Sequence, residues 1–177
     1  MNDCIDVHTH VVPERFPPYA GKGRDVPWPT MADAQACHKH VMISGKVYRT
    51  VSEGCWSVPR RIEDMAAMRV TRQALSPMPE LLSYWLPLED ARTLLRYLNE
   101  VIAAMVAEAP QRFTGLGAVP LQDVDSAIRE LEHCKRAGFA GVEIASHVNG
   151  VSIGDARYEA FFAAAEELGA AVFVHAL

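Results

Sequence analysis

Cys4-Ile5-Asp6-Val7-His8-Thr9-His10-Val11 is an apolar run that carries two histidines one residue apart. In an extended strand alternate side chains share a face, so this spacing puts His8 and His10 on one side with Asp6 beside them. Two neutral imidazoles held together can bind a metal. The competing reading is an exposed strand with two incidental histidines, and two features weigh against it. Ile5, Val7, Val11 and Val12 give the run the composition of a buried strand, and a second such run, Ala171-Val172-Phe173-Val174, ends in His175. Strands buried on both faces of a parallel sheet are continuous in Val, Ile and Phe, and a polar residue at their carboxyl ends marks a site.

Outward from that first strand, residues 13–30 are crowded with Pro13, Pro17, Pro18, Gly21, Gly23, Pro27 and Pro29, an irregular excursion. Cys37 to Val51 alternates around Ser44-Gly45-Lys46, which predicts a small hairpin set into the first strand-to-helix connection. His38 and His40 repeat the His-x-His spacing there, but Lys39 between them and the lack of an apolar shoulder favour a solvated hairpin strand. A short amphipathic helix is expected over 59–68, with Ile62, Met65, Ala66 and Met68 inward. A weak strand follows over 70–75, then a long helix from Leu88 to Ala109 with Leu94, Leu98, Val101, Ile102 and Met105 as its stripe and Pro110 as its stop.

Phe113 to Val119 is the next strand. Asp123 or Asp125 caps a helix ending near Gly138, Gly141-Val142-Glu143-Ile144-Ala145 is a strand, and Asp155 caps a last helix closed by Gly169 before the run to His175. Strands alternating with helices imply βαβ units and a parallel sheet. No turn carries G-x-G-x-x-G or G-x-x-x-x-G-K, which argues against a doubly wound nucleotide fold. A TIM-type (β/α) barrel fits better, because its site lies at the carboxyl ends of its strands, where His8, His10 and His175 fall. Five strands are expected where a full barrel has eight, so residues 1–177 are expected to form a single partial barrel, truncated after about five strands, with an excursion and hairpin insertion over 13–58.

The chain has 177 residues, half of them hydrophobic, enough for one core. Its net charge is −5 and its basic residues are scattered, which speaks against nucleic acid and anionic membranes as partners. With no signal-like N-terminus and no apolar stretch approaching a membrane span, a cytoplasmic location is expected. Cys4, Cys37, Cys55 and Cys134 have no C-x-x-C spacing and are expected as free thiols.

The pieces Ile5-Asp6-Val7-His8-Thr9-His10, Tyr48-Arg49-Thr50-Val51 with Trp56 and Arg61-Ile62-Glu63-Asp64-Met65, Val119-Pro120-Leu121-Gln122-Asp123, Ala137 to Ile144, and Phe173-Val174-His175 together resemble the amidohydrolase-related, metal-dependent hydrolase barrel family, and within it the zinc decarboxylases. The resemblance runs the length of the chain but spans only about the first half of the family's barrel. It implies that His8, His10 and His175 bind Zn²⁺ or another divalent transition metal, and that Arg49 binds the carboxylate of a small-molecule substrate, with Trp56 near the same pocket. A planar guanidinium suits that task because it meets a carboxylate with two parallel hydrogen bonds. The implied activity is non-oxidative decarboxylation of an unsaturated or aromatic-derived acid by a homodimer. A hydrolase on the same scaffold, or a catalytically inert fragment, are the alternatives. The family's metal-binding aspartate and its histidine base would fall beyond Leu177, the chain continues Ala176-Leu177 where the decarboxylases usually have Pro-Trp, and His147 is treated as a loop residue.

Overall fold

The structure, a computed structural model, describes residues 4–176. In chain order β1 (Ile5–Val11) is followed by β2 (Thr30–Asp33), β3 (His38–Ile43) and β4 (Lys46–Ser52), then α1 (Val58–Met68), β5 (Arg72–Pro77), α2 (Leu88–Glu108), β6 (Phe113–Ala118) and α3 (Val124–Arg136). The chain continues through β7 (Gly141–Ala145), a short hairpin of β8 (His147–Val148) and β9 (Val151–Ser152), α4 (Glu159–Glu167) and β10 (Ala171–His175). The main sheet runs β1-β5-β6-β7-β10 with every pairing parallel. A doubly wound sheet reverses its strand order at a switch point; here the order never reverses, so the sheet advances in one direction as an open half-barrel.

The helices form where the sequence places their signals. Ser57 accepts from the Arg60 N–H at the start of α1, Asp123 accepts from the Ser126 N–H at the start of α3, and α2 begins directly after Pro87. Against the sheet, α2 buries Leu94, Leu95, Leu98 and Ile102 and α3 buries Ala127, Leu131 and Cys134. Gly117 lets the layers meet, since a Cβ there would lie 2.5 Å from Cys134 Sγ and 3.0 Å from Asn99 Oδ1. Asn99 in turn donates to the Ala118 carbonyl (2.9 Å) and to Glu130 (2.8 Å), whose carboxylate also takes two prongs of Arg96.

Several expectations change. The hairpin is a three-stranded antiparallel sheet, because Thr30–Asp33 pairs with β3 as an extra strand inside the stretch bordering the proline-rich excursion. Its turn is at Ser44-Gly45, both with positive φ (52° and 73°), the backbone of a tight two-residue hairpin. Asp155 caps a single 3-10 turn ahead of α4 rather than α4 itself. In α1 the inward residues are Val58, Arg61 and Met65, while Met68 is exposed.

The first strand departs most. Asp6 lies opposite Gln73 and Thr9 opposite Leu75, so Val7 and His8 together face one residue, Ala74. This bulge interrupts the period of two. Ile5 and His10, an odd number of residues apart, fall on the same face of the sheet, and Asp6 falls on the other, beside α1. Val11 and Val12 are buried as expected, but Ile5 and Val7 are 53% and 56% exposed, because they lie on the concave face, which no helix covers among the described residues.

Candidate metal centre

His8 and His10 leave the end of β1 and His175 the end of β10, the two outer strands of the half-barrel, and the curl of the sheet brings them together. Ring centroids are 5.0 Å apart for His8 and His10, 5.2 Å for His8 and His175, and 5.4 Å for His10 and His175. One nitrogen from each ring lies within 4.8 Å of the others, and the three are the single such cluster of potential metal ligands among the described residues. Three nitrogens on one tetrahedral zinc are roughly 3.3 Å apart, so small side-chain rotations bring this set to coordination distance.

The surroundings fix His10 in the form a metal needs. Its Nδ1 is 3.1 Å from the Pro77 carbonyl oxygen, to which a protonated Nδ1 donates, leaving Nε2 as the free lone pair. Burial, with the neighbouring His8 adding to it, lowers its pKa to about 4 against the pull of the Pro77 carbonyl, so the ring is neutral at physiological pH. The strand is also held from behind. Arg61 of α1 is buried, donates from Nη2 to the His10 carbonyl (2.7 Å) and from Nη1 to Gln73 Oε1 (3.2 Å). Amphipathic spacing placed Ile62 rather than Arg61 at this face, and no local pattern marks a buried arginine that serves a backbone carbonyl.

Two carboxylates complete the floor. Glu143 on β7 is fully buried, and its Oε2 lies 3.8 Å from His10 Nδ1. The Ser76 hydroxyl lies nearby and donates to the Thr9 carbonyl (3.1 Å), and neither Glu143 oxygen stands in direct hydrogen-bonding geometry with a partner. Burial pushes its pKa up to about 7, the Ser76 hydroxyl opposes this, and the charge of Glu80 adds to it. The apolar run around Glu143 suggests a strand; its one acidic residue at an inward position was the available signal for this group. Glu80, just beyond β5, accepts from Arg49 Nη2 (2.9 Å) and Tyr48 Oη (3.3 Å) through Oε1. The Arg49 side chain is 56% exposed and that of Glu80 14%.

Trp56 lies elsewhere. Lys39 Nζ sits 5.5 Å from its ring centre, and it lines a separate cavity of about 360 Å³ with Arg15, Tyr97 and Met105 that includes neither Arg49 nor the three histidines. His38 and His40 bond to the Ala36 carbonyl and Thr50 hydroxyl within the hairpin sheet, and His147 is exposed beside the Ser146 hydroxyl. Leu177, after Ala176, lies outside the described residues. All four cysteines are free. No helix among the described residues is long and apolar enough to cross a membrane.

The amidohydrolase family model matches residues 5–177. The chain is 38% identical over 172 residues to 2-amino-3-carboxymuconate-6-semialdehyde decarboxylase of Dictyostelium discoideum, covering 97% of this chain and 48% of that protein. It is 29% identical to the Caenorhabditis elegans enzyme of the same name, covering 81% of this chain and 41% of that one. Thus the chain spans less than half the length of these relatives. Among solved structures, 5-carboxyvanillate decarboxylase of Novosphingobium aromaticivorans, complexed with manganese and 4-hydroxy-3-methoxy-5-nitrobenzoic acid, superposes with a TM-score of 0.66 at 30% identity over 70% of this chain and 36% of that chain. The Metarhizium anisopliae IDCase in apo form shares the fold across 98% of this chain and 50% of its own, with a TM-score of 0.77 at 18% identity.

Proposed function

The chain belongs to the amidohydrolase family, and from that premise we propose that it forms the metal-holding part of a non-oxidative decarboxylase acting on an unsaturated or aromatic-derived carboxylic acid. The observation that carries this is the convergence of His8, His10 and His175 from opposite sides of the sheet to within 4.8 Å. The similarity to decarboxylases of carboxymuconate semialdehyde and carboxyvanillate supports this reaction class. Three imidazoles, one held neutral by burial with its Nδ1 committed to a carbonyl, are a donor set suited to Zn²⁺. Bound there, zinc would supply Lewis acidity toward a substrate oxygen or a water molecule.

The chain's own residues do the rest of what this half of the site contributes. Arg49 holds a substrate carboxylate through its planar fork, which fixes the scissile carbon relative to the histidines. Glu143 is fully buried and the His10 side chain about three-quarters so, and charge developing on a substrate beside them is screened less than in bulk water. Arg49 in its hairpin supports decarboxylation over hydrolysis, since a guanidinium fork placed to take a carboxylate suits an acid substrate. A homodimer is part of the proposal: β1 and β10 each pair on one side only among the described residues, and Ile5 and Val7 lie exposed on the concave face. A sharp monomer in analytical ultracentrifugation would count against it.

Elemental analysis of protein purified without added metal tests the metal centre. About one zinc per subunit is expected, and its loss in the His8→Ala, His10→Ala double variant. Unchanged metal content in that variant would remove the basis of the assignment.

A further inference from the structure

Arginines that lie scattered along the chain are gathered in one place by the packing of α2 beside α3. Glu89, Arg92, Thr93 and Arg96 follow one another at steps of three, four and seven residues and form a single stripe on α2. Arg129, His133 and Arg136, at steps of four and seven, form a stripe on α3. Both stripes line one cavity of about 690 Å³, whose lining includes none of the three metal-site histidines.

The carboxylates of this cavity leave much of its positive charge unspent. Glu130 accepts two prongs of Arg96 and the amide of Asn99, and with a side chain only 10% exposed it serves the packing of the two helices. Glu89 takes one N–H of Arg92 (2.9 Å) and Glu132 stands 3.8 Å from Arg136, each an exposed pair within one helix that contributes little. Arg129 donates to the Ser126 hydroxyl (2.8 Å) and has no carboxylate at ion-pair distance among the described residues, and the His133 ring has no hydrogen-bond partner among them. The helices also bring their cations close to each other. Asp123 at the head of α3, whose pKa is lowered chiefly by its hydrogen bonds from Ser126, feels the charges of both Arg129 and Arg92.

Guanidinium groups converging from two helices on a concave space reverse the sign of a chain whose net charge is −5. Planar forks meet phosphate oxygens in pairs. From Arg129 to Arg136 the α3 stripe runs about 10 Å along the helix, longer than a single phosphate and suited to two joined ones. We propose that the cavity between α2 and α3 binds a small soluble diphosphate, held by Arg92 and Arg96 on one side and by Arg129, His133 and Arg136 on the other. This site does not depend on the decarboxylase reading.

Calorimetric titration with inorganic pyrophosphate and with orthophosphate tests it, on protein stripped of zinc so that the anions have no metal to bind at the histidines. Pyrophosphate is expected to bind at least about tenfold more tightly than orthophosphate, with an affinity that falls as salt is added. Replacing Arg129→Gln and Arg136→Gln together should weaken pyrophosphate about tenfold to thirtyfold, the scale of exposed charge-assisted bonds, with the urea midpoint unchanged because neither residue serves Glu130. Lysine at both positions should recover part of the loss, since it returns the charge without the fork. Glu132→Gln, which releases Arg136, should tighten binding about twofold. Sedimentation with phosphatidylcholine vesicles carrying a phosphatidylinositol bisphosphate separates a soluble ligand from a lipid headgroup; no binding is expected, and binding that the double glutamine variant loses would overturn the soluble assignment. No affinity for pyrophosphate at low salt, equal affinity for the two anions, or an affinity unchanged in the double glutamine variant overturns the site.

Discussion

Two strands of this molecule carry a bulge, and they use it differently. In β1 the extra residue sits in the main sheet, with β5 as its only strand partner among the described residues and α1 behind it; it changes the parity of the strand so that His8 and His10 share the concave face with Ile5 while Asp6 is turned away. In β4 the extra residue sits in a small antiparallel sheet and lets two consecutive side chains, Tyr48 and Arg49, meet one carboxylate. The first bulge is backed by Arg61 on the His10 carbonyl; the second is held by Glu80 alone among the contacts at its tip. The metal ligands are thus built on the main sheet and the carboxylate clamp on the inserted one.

The largest effect should come from removing the backing of β1. Arg61→Leu leaves the His10 carbonyl and Gln73 Oε1 without a charged donor in a buried place, a loss of about 3 kcal/mol from two charge-assisted bonds. Urea denaturation should show it, and zinc affinity measured by chelator competition should fall about tenfold because the ligand strand is less well held. A variant with parental stability and zinc affinity would mean that β1 does not depend on α1, and the contrast between the two bulges would disappear.

The corresponding cut in β4 should be smaller and confined to ligand binding. Arg49→Ala is expected to weaken binding of a dicarboxylate such as phthalate about tenfold to a hundredfold, the value of a charge-assisted two-pronged bond, with zinc content and stability unchanged. Arg49→Lys should lie between, since it keeps the charge and loses the fork. If Arg49→Ala binds phthalate as the parent does, Arg49 is only the surface partner of Glu80.

These outcomes bear on what the sequence could disclose. Strand order, the stripes of α2 and α3 and the three histidines were legible because each depends on local periodicity and on the rule that site residues stand at carboxyl ends of parallel strands; the stripe of α1 was not, since it buries Arg61 and exposes Met68. The bulges were not, since a bulge is set by what the partner strand offers and not by the residues that form it. Hence Asp6 was expected beside the histidines, and Ile5 and Val7 were expected buried. Trp56 was drawn toward the pocket by its nearness to Arg49 in the chain, whereas Trp85, far away in sequence, is the tryptophan that lines a cavity beside Glu80. Arg61 and Glu143 look like ordinary charged positions until the opposing strand is in place.

His10 and Glu143 give a weaker effect, read in the metal-free protein. His10 has its pKa lowered from 6.5 to about 4, so the unfolded chain takes up that proton first; the stability this represents is present above pH 6.5 and lost as pH falls toward 4. Glu143 has its pKa raised from 4.5 to about 7, so the folded chain keeps its proton longer; that stability is present below pH 4.5 and lost as pH rises through 7. Between pH 4.5 and 6.5 the two slopes oppose each other, each bounded at about 1.4 kcal/mol per pH unit. Urea midpoints of the parent should therefore change little across that window, and those of Glu143→Gln should climb with pH. Parallel profiles for parent and variant would show that burial does not raise the Glu143 carboxyl.

The smallest effect is the one that decides whether the β1 bulge exists. A regular strand puts Asp6 on the face of His8 and His10, two residues away, where a carboxylate would be a natural fourth ligand for zinc. With Val7 and His8 both opposite Ala74, Asp6 instead lies opposite Gln73, on the side of α1, and its Oδ1 accepts from the His8 backbone N–H at 3.1 Å. Asp6→Asn keeps an acceptor for that N–H and removes the charge. In the bulged strand it should leave zinc affinity within about twofold and cost at most about 1 kcal/mol, the worth of one partly exposed hydrogen bond. In a regular strand the same substitution would remove a ligand and lower zinc affinity by orders of magnitude. Chelator competition on this one variant separates the two strands: a large loss would place Asp6 on the metal and undo the register of β1 against β5, whereas a negligible one requires the extra residue that turns Asp6 away.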